Sequence, residues 1–207
     1  LNRGVSGYKI DECDGYDHWL WPDHAAFPSG LDGEQMRQVY ALLLQRMMLE
    51  MFRRRNQRTY GLVRGSNAGA ASLPFVLYSD HYSHREFIGA LVNSGFTGLL
   101  WTPEARSAGT AEEWLRRMQS TCFSPLAMIN AWSSGTKPWS FAPVTKAVRQ
   151  VMQWRMRFLP YLYSAFARYY FDGTPPFRAM ALDPTWTPEN PVAAEVLDQY
   201  LMGDSLL

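Results

Sequence analysis

The sequence has little of several features that would assign a protein to a class at once. Its 207 residues include only two cysteines, Cys13 and Cys122, too few for a disulfide framework or a four-cysteine zinc site. Lys and Arg number 20 against 19 Asp and Glu, so the net charge of +1 gives no case for binding nucleic acid or membrane surfaces. No apolar run approaches the ~20 residues of a membrane span. Gly61, Gly65 and Gly69 form neither a P-loop nor a dinucleotide fingerprint, and no G-x-S-x-G elbow occurs.

The composition that remains is that of a folded chain with a sizeable core. Hydrophobic residues make up 47% of the sequence, and aromatic residues 14%, including 8 Trp. The length fits one domain, or one domain and part of another. The chain starts at Leu1 without Met and ends in an apolar run, so we expect it to be a segment of a longer protein.

Apolar periodicity predicts a helix over residues 34–55, with its apolar stripe packed in the core. The stripe consists of Met36, Val39, Tyr40, Leu43, Leu44, Met47, Met48 and Met51. Short apolar runs predict strands at residues 5–10, 60–63, 75–78, 98–101 and 126–129. Further helices are predicted at 84–93, at 110–119 behind a Thr110/Glu113 capping box, and at 144–171, where Pro160 is expected to cause a kink. This alternation predicts an α/β fold with a parallel sheet buried on both faces.

Polar residues follow each predicted strand. Asp11, Arg64, Asp80, Glu104 and Asn130 lie at or just beyond the five strand ends. In a (β/α)8 barrel the carboxyl ends of the strands carry the active site, because the βα loops meet there. The alternative, that strands simply end where polar loops begin, stays open for any single residue.

Two of these residues are carboxylates, Asp11 and Asp80, which parallel strand ends can bring face to face. A pair of carboxylates is what glycoside hydrolysis requires, one to attack the sugar and one to protonate the leaving oxygen. Aromatic side chains near the strand ends suit the apolar faces of sugars. These are Tyr16, Trp19, Trp21, Tyr78, Tyr82, Trp101 and Trp132.

Two other chemistries have weaker support. His81 and His84 have the i, i+3 spacing of metal ligands beside Asp80, but they would start outside a firm helix. Cys13 has no histidine near it in sequence, so a buried structural thiol is the better interpretation than a reactive one.

The ordered set of motifs resembles glycoside hydrolase family 31, the α-glucosidase and α-xylosidase group. GVSGYKID at 4–11 resembles the strand that carries the family's nucleophile, which would be Asp11, and Asp14 stands where an acidic residue usually follows. Arg64 and Asp80 match the family's sugar-binding arginine and its acid/base. Further matching segments are AG at 68–69, GFTGLLWTPE at 95–104, FSPL at 123–126, LPYLY at 159–163 and DQYLMGD at 198–204.

The sequence departs from the family pattern where the sugar is held. Leu77 replaces the usual Trp before the acid/base, Glu104 replaces a sugar-binding Asp, and Met128-Ile129-Asn130 replaces Arg-x-His. Both catalytic carboxylates are kept, so an altered sugar preference is expected, of which an α-galactoside preference is one form.

The resemblance implies a (β/α)8 TIM barrel, of which residues 1–171 would hold about strands four to eight, and residues 172–207 would be a linker and the start of a C-terminal β-sandwich. It implies a retaining α-glycosidase with Asp11 as nucleophile and Asp80 as acid/base. Arg64, Trp101, Glu104 and Asn130 are the substrate-binding candidates.

The expected partner is an oligosaccharide or α-glycoside. No cofactor, metal, nucleic acid or membrane span is expected, a homo-oligomer is left open, and the sequence does not identify a compartment.

Three rival functions remain at this point: a non-catalytic carbohydrate-binding relative, a transglycosylase that shares the first chemical step, and a metal-dependent barrel hydrolase. Both carboxylates argue against the first. The scarcity of histidine at strand ends argues against the last.

Overall fold

The structure, a computed structural model, describes residues 2–11, 13, 22–78, 83–130, 135–182 and 198–206. The chain divides into two compact units, residues 1–78 and 79–207. In the described part of the chain, no helix is both long and apolar enough to cross a membrane.

The described part of the first unit is a parallel sheet with one α-helix. Strands β1 (Gly7–Ile10), β2 (Tyr60–Val63) and β3 (Phe75–Tyr78) lie in the order β1-β2-β3, and helix α1 (Gly33–Arg53) connects β1 to β2. The bounds predicted for β2 and β3 are confirmed, whereas β1 is shorter than the predicted 5–10. The strand–helix–strand order and the parallel pairing confirm the predicted α/β class.

Helix α1 begins at a reciprocal capping box that the sequence analysis did not identify. The Asp32 carboxylate accepts the backbone N–H of Gln35 at 2.8 Å, and the Gln35 side chain accepts the backbone N–H of Asp32 at 3.2 Å. Two backbone donors at the helix start are thereby satisfied. The helix therefore begins at Gly33 rather than at 34, and it ends at Arg53 rather than at 55.

The prediction that the whole apolar stripe of α1 is core was wrong for one row of it. Leu43, Met47 and Met51 are 46%, 54% and 37% exposed. The face turned to the sheet instead carries Ala41, with Tyr40, Leu44, Met48 and Leu49 packed around it. An apolar stripe this wide covers more of the helix than the sheet can contact, and periodicity alone does not say which edge stays outside.

The second unit holds three longer helices and short strands. In chain order they are α2 (His84–Ser94), β4 (Trp101–Thr102), β5 (Glu104–Ala105), α3 (Ala111–Cys122), β6 (Met128–Ile129), α4 (Thr145–Asp172), β7 (Phe177–Ala179), β8 (Tyr200–Met202) and β9 (Ser205–Leu206). β5 and β6 pair in parallel, and β7, β8 and β9 form an antiparallel sheet. The strands predicted at 98–101 and 126–129 are in fact only two residues each, and β5 was not predicted.

Helix α3 has the predicted cap with one difference. The Thr110 hydroxyl accepts the Glu113 backbone N–H at 3.2 Å, as a capping box requires. The Glu113 carboxylate, however, accepts the N–H of Gly109 at 2.9 Å rather than that of the cap residue, and it also pairs with Arg117. This backbone hydrogen bond is the main reason that the pKa of Glu113 lies below its usual value.

The half-buried Arg155 fixes the end of α3 against α4. The Arg155 guanidinium donates to the carbonyl oxygens of Cys122 and Pro125, both at 3.0 Å, and to that of Ser124. The Cys122 carbonyl is one of those that the end of a helix leaves without intrahelical partners, and the other two follow in the segment after α3. The segment that leads into β6 is therefore held by a side chain of α4, which fixes where β6 starts.

Helix α4 runs without a break through Pro160 and anchors the antiparallel sheet. The Tyr161 hydroxyl donates to the Met202 carbonyl at 2.7 Å and accepts the N–H groups of Asp204 and Ser205. Gly203 between them has φ of +60°, and a Cβ there would lie 2.4 Å from the Tyr161 oxygen. Only glycine fits this turn, since both the backbone angle and the phenol exclude a side chain.

Candidate active site

Strand register places three functional side chains in one row in the first unit. Ile10 pairs with Val63, and Val63 pairs with Leu77, so the three strands reach the same level. The Arg64 N–H continues the ladder by donating to the Ile10 carbonyl at 3.2 Å. The next residues, Asp11, Arg64 and Tyr78, therefore meet at the carboxyl edge of the sheet, where α/β folds place their active sites.

The Asp11 carboxylate is the centre of this row. Its Oδ1 accepts a hydrogen bond from the Tyr78 hydroxyl at 2.8 Å and one from Arg64 Nη1 at 3.2 Å. Its Oδ2 lies 3.5 Å from Lys9 Nζ. Lys9 reaches it because residues two apart on a strand share a face. Two cations and a phenol O–H all stabilise the ionised form of the carboxylate.

The partners differ in burial, and this sets what Asp11 can reach. The side chain of Asp11 is 48% exposed, whereas that of Arg64 is 16% exposed and Tyr78 is fully buried. The Lys9 ammonium also sits 4.7 Å from the centre of the Tyr78 ring, so the two partners support each other. The carboxylate is thus held from the protein side while part of it faces solvent, which suits a nucleophile.

Tyr78 was only one of several aromatic candidates in the sequence, and its bond to Asp11 was not predicted. The usable signal was its place at the last position of β3, level with the end of β1. The spacing of 67 residues between Tyr78 and Asp11 has no local pattern, so only the strand register reveals the contact.

Glu104 and Asn130 form a second polar pair, in the second unit. Glu104 pairs with Met128 in the β5–β6 ladder, and the Asn130 N–H donates to the Ala105 carbonyl at 2.9 Å. The Asn130 amide donates to Glu104 Oε1. Glu104 is only 1% exposed, and among the described residues its Oε2 has no hydrogen-bond partner.

Trp101, another predicted sugar contact, is 3% exposed. Its ring packs against Phe87 with centroids 5.9 Å apart, and its backbone N–H donates to the Ser94 hydroxyl at 3.2 Å. In the described structure Trp101 is a core residue of β4 that packs against α2. Its contact with a sugar stays a prediction.

Several sequence predictions fall outside the described residues. These are the acid/base candidate Asp80, the possible ligand His81, and the aromatic residues Tyr16, Trp19, Trp21, Tyr82 and Trp132. His84 is described, and its Nδ1 lies 3.0 Å from the Ser120 hydroxyl. No group of three His, Cys, Asp or Glu side chains able to hold a metal occurs among the residues that the structure describes.

Cys13 is buried beneath Asp11, as expected for a structural thiol. It is 1% exposed, and its sulfur accepts the Gly65 backbone N–H at 3.4 Å. Cys13 also belongs to the core cluster with Ala41, Val63 and Phe75. The residue therefore supports the strand ends on either side of Asp11.

Residues 1–165 match the sequence model of the protein family described as "Glycosyl hydrolases family 31 TIM-barrel domain". The chain belongs to glycoside hydrolase family 31, and the predicted family and TIM-barrel fold are confirmed.

Curated relatives include an α-glucosidase of Schizosaccharomyces pombe, 35% identical over 103 residues, which are 48% of this chain and 10% of that protein. An isomaltosyltransferase of Sporosarcina globispora is 25% identical along 99% of this chain and 20% of its own length.

Solved structures with the same fold include the cycloalternan-degrading enzyme from Trueperella pyogenes. It has a TM-score of 0.80 and 20% identity, and the match covers 97% of this chain and 31% of that one. The cycloalternan-forming enzyme from Listeria monocytogenes, in complex with a pentasaccharide substrate, has a TM-score of 0.74 and 22% identity over 89% of this chain and 19% of its own. The chain thus spans less than a third of the length of each of these relatives.

Proposed function

We propose that the protein is a retaining α-glycosidase that removes terminal α-linked hexose or pentose residues from oligosaccharides. The observation that carries this proposal is the Asp11 carboxylate at the end of β1. Its anionic form is stabilised by Lys9, Arg64 and the Tyr78 hydroxyl, and the side chain is still partly open to solvent. Membership of a glycoside hydrolase family supports it. A carboxylate held in this way matches the nucleophile of a double displacement.

In the first step Asp11 attacks the anomeric carbon, and the bond from that carbon to the glycosidic oxygen breaks. The leaving oxygen takes a proton from Asp80, and the sugar remains as a β-linked ester on Asp11. In the second step Asp80 removes a proton from water, which attacks the same carbon and releases Asp11. Two inversions return the α configuration to the product.

The two carboxyl groups must therefore differ in protonation when substrate binds. Asp11 has to be ionised, and its three described partners provide for that. Asp80 has to carry a proton, so we expect its surroundings to raise its pKa. The assignment of Asp80 rests on the family motif that surrounds it in the sequence.

Product stereochemistry and leaving-group dependence test this mechanism. Proton NMR of the first product should show the α-anomer before mutarotation. In Asp80→Ala, kcat/KM should fall about 10²–10⁴-fold on substrates with poor leaving groups, and far less on activated aryl glycosides, which need little protonation. An initial β-anomer, or equal losses on both substrate types, would contradict the proposal.

We propose that Arg64, Glu104 and Asn130 determine which sugar binds. The Arg64 guanidinium donates to Asp11. Glu104 and Asn130 contact each other and lie at positions where the sequence departs from the family pattern. A glucoside preference is supported by the α-glucosidase relative, and a galactoside preference by the changed residues alone. A panel of aryl α-glucosides, α-xylosides and α-galactosides on the full-length protein decides between them.

Transfer to a second sugar is the alternative function that a specific observation favours. The relative that matches along 99% of this chain is an isomaltosyltransferase. Transfer and hydrolysis share the glycosyl-Asp11 step and differ only in whether a hydroxyl of a sugar or of water attacks next. Measuring the ratio of transfer product to released sugar, with increasing acceptor concentration, separates the two.

We also propose that the barrel part ends at residue 171 and that a β-domain begins after a short linker. The family match ends at residue 165, inside α4, and the antiparallel β7–β8–β9 sheet follows that helix. The change from parallel to antiparallel pairing supports a boundary there. A protease-sensitive site just after α4 in the full-length protein would agree with it.

A further inference from the structure

A pocket of about 590 Å³ opens in the second unit, within the usual size range of small-molecule sites. Its described walls come from the helices α2, α3 and α4 and from the start of β8. None of the substrate-binding candidates of this unit, Trp101, Glu104 or Asn130, lines it. The pocket is therefore built from helix faces rather than from strand ends.

Each helix contributes residues one turn apart, which share a face. Trp154 and Phe158 come from α4 and are 39% and 40% exposed, so both aromatic side chains are accessible from the pocket. Arg116 and Ser120 come from α3. Together they line the pocket with an aromatic pair, the aromatic wall, and with hydrogen-bonding groups, the polar wall.

The polar wall offers both donors and acceptors without a net charge. The cation Arg116 is matched by the carboxylate of Asp198, and Gln119 adds an amide. Burial, followed by the positive charges of Arg116 and Arg117, lowers the pKa of His84, while Asp198 opposes that shift. His84 is therefore neutral at pH 7. The Ser120 hydroxyl donates to the Arg116 carbonyl at 3.1 Å, so its oxygen accepts from Nδ1–H of His84 and the other ring nitrogen is an acceptor.

The charges select against several ligand classes. An anion would meet Asp198, and a cation would meet Arg116. A purely apolar ligand would take water from Arg116, Gln119 and Asp198 without offering them new hydrogen bonds, which costs binding free energy. A neutral ring with one apolar face and many hydroxyls satisfies both walls, because aromatic rings pack on its C–H face while its hydroxyls bond to the polar groups.

We propose that this pocket is a second, non-catalytic binding site for one ring of a neutral oligosaccharide. The use of α-glucosyl saccharides as probes rests on the proposed function, whereas the chemistry of the pocket does not. A second site that holds a distant ring would raise the residence time of long substrates by keeping part of the chain bound.

Calorimetric titration of the full-length protein with isomaltotriose tests the proposal, in an Asp11→Asn background that prevents turnover. Two binding sites per chain are expected. Trp154→Ala should remove one of them or weaken it about tenfold or more, because it deletes the exposed aromatic face. Trp139→Ala is the matched control, since Trp139 is 68% exposed and does not line the pocket. It should keep both sites.

A single site in the background protein, or two unchanged sites in Trp154→Ala, would overturn the proposal. Circular dichroism verifies that the variants fold. If Trp154→Ala does not fold, Arg116→Met takes its place, because its side chain is 55% exposed and carries a donor of the polar wall. Arg157→Met, an exposed arginine of α4 outside the pocket, is its control.

Turnover separates this inference from the proposed function. With Asp11 intact, Trp154→Ala should keep kcat/KM on a small aryl α-glucoside and lose efficiency only on long oligosaccharides. If no aryl α-glycoside is hydrolysed by the unaltered protein, the proposed function fails, while the number of isomaltotriose sites still decides the pocket. If hydrolysis occurs with one site per chain, only the pocket inference fails.

Discussion

Asp11 in the first unit and Glu104 in the second are both acidic residues at short parallel strands, yet their surroundings are opposite. The Asp11 side chain is 48% exposed and has a lysine, an arginine and a tyrosine hydroxyl as described partners. Glu104 is 1% exposed, and its one described partner is the Asn130 amide. Its place on a strand therefore does not by itself define the role of an acidic residue. The hydrogen-bond partners and the exposure of the side chain define it.

The difference has an energetic meaning. An exposed carboxylate beside two cations is stable as an anion and can reach a substrate. A buried carboxylate needs hydrogen bonds to both oxygens, and Glu104 Oε2 has no partner among the described residues. At 1% exposure Glu104 is closed to a sugar hydroxyl in the described structure, so its role as a sugar contact stays a proposal.

The largest effect is expected from Asp11→Asn in the full-length protein. The amide cannot form the glycosyl ester, so kcat/KM on every α-glycoside should fall on the order of 10⁴-fold or more. Asp23→Asn is the control, because Asp23 is an exposed carboxylate of the same unit that pairs with Arg37. In Asp11→Ala, azide should restore turnover of activated aryl glycosides and give the β-glycosyl azide. Substantial activity in Asp11→Asn would remove Asp11 from the reaction.

A smaller loss is expected from Tyr78→Phe, which deletes one hydrogen bond to the proposed nucleophile, Asp11. A bond to a charged group contributes about 1.5–3 kcal/mol, so kcat should fall roughly 10–100-fold if the bond positions Asp11 for attack. KM for an aryl glycoside should change little, because Tyr78 is fully buried. Tyr8→Phe, in the same unit, is the control for loss of a phenol. A rise in KM at constant kcat would instead indicate a role in substrate binding.

For Glu104 and Asn130 we expect effects on substrate binding and on stability, in contrast to the effect on kcat expected for Tyr78. Asn130→Ala leaves the buried carboxylate without its described partner, which should lower the free energy of unfolding by about 1–3 kcal/mol. Glu104→Gln keeps an acceptor for Asn130 and replaces the carboxyl group with an amide, so stability should hold while sugar preference shifts up to roughly tenfold. The products should keep the retained configuration in both. If no kinetic constant changes in either variant, their assignment as sugar contacts is wrong.

The sequence predicted the sheet of the first unit well, because β2 and β3 are short apolar runs between clear breaks. It also predicted Asp11 and Arg64 at strand ends, which the register brings together. The contact of Tyr78 with Asp11 depends on three strands ending at one level, and no local pattern encodes that.

In the second unit prediction was weaker for a physical reason. β4, β5 and β6 are two residues each, too short for any alternation to be visible. Their positions are fixed by long-range contacts instead, such as the Thr102 hydroxyl against Ser124 and Leu126, and Arg155 against the end of α3.

In the first unit, the exposed row on α1 was missed because the apolar stripe of that helix is wider than the surface it packs against. Nothing in the sequence marks which edge of such a stripe stays exposed.

The smallest effect is a pH dependence of stability that His84 contributes in the second unit. The pKa of His84 is lowered from 6.5, first by burial and then by Arg116 and Arg117. As pH falls below about 6.5, the unfolded chain binds a proton that the folded chain does not, so stability decreases toward acid and is unaffected above that pH. In His84→Gln the thermal midpoint should therefore drop less between pH 7.5 and pH 5.5 than in the unaltered protein. His24→Gln, at an exposed histidine of the first unit, should leave the drop unchanged. If the thermal midpoint drops equally in all three proteins, His84 does not contribute to the loss of stability in acid.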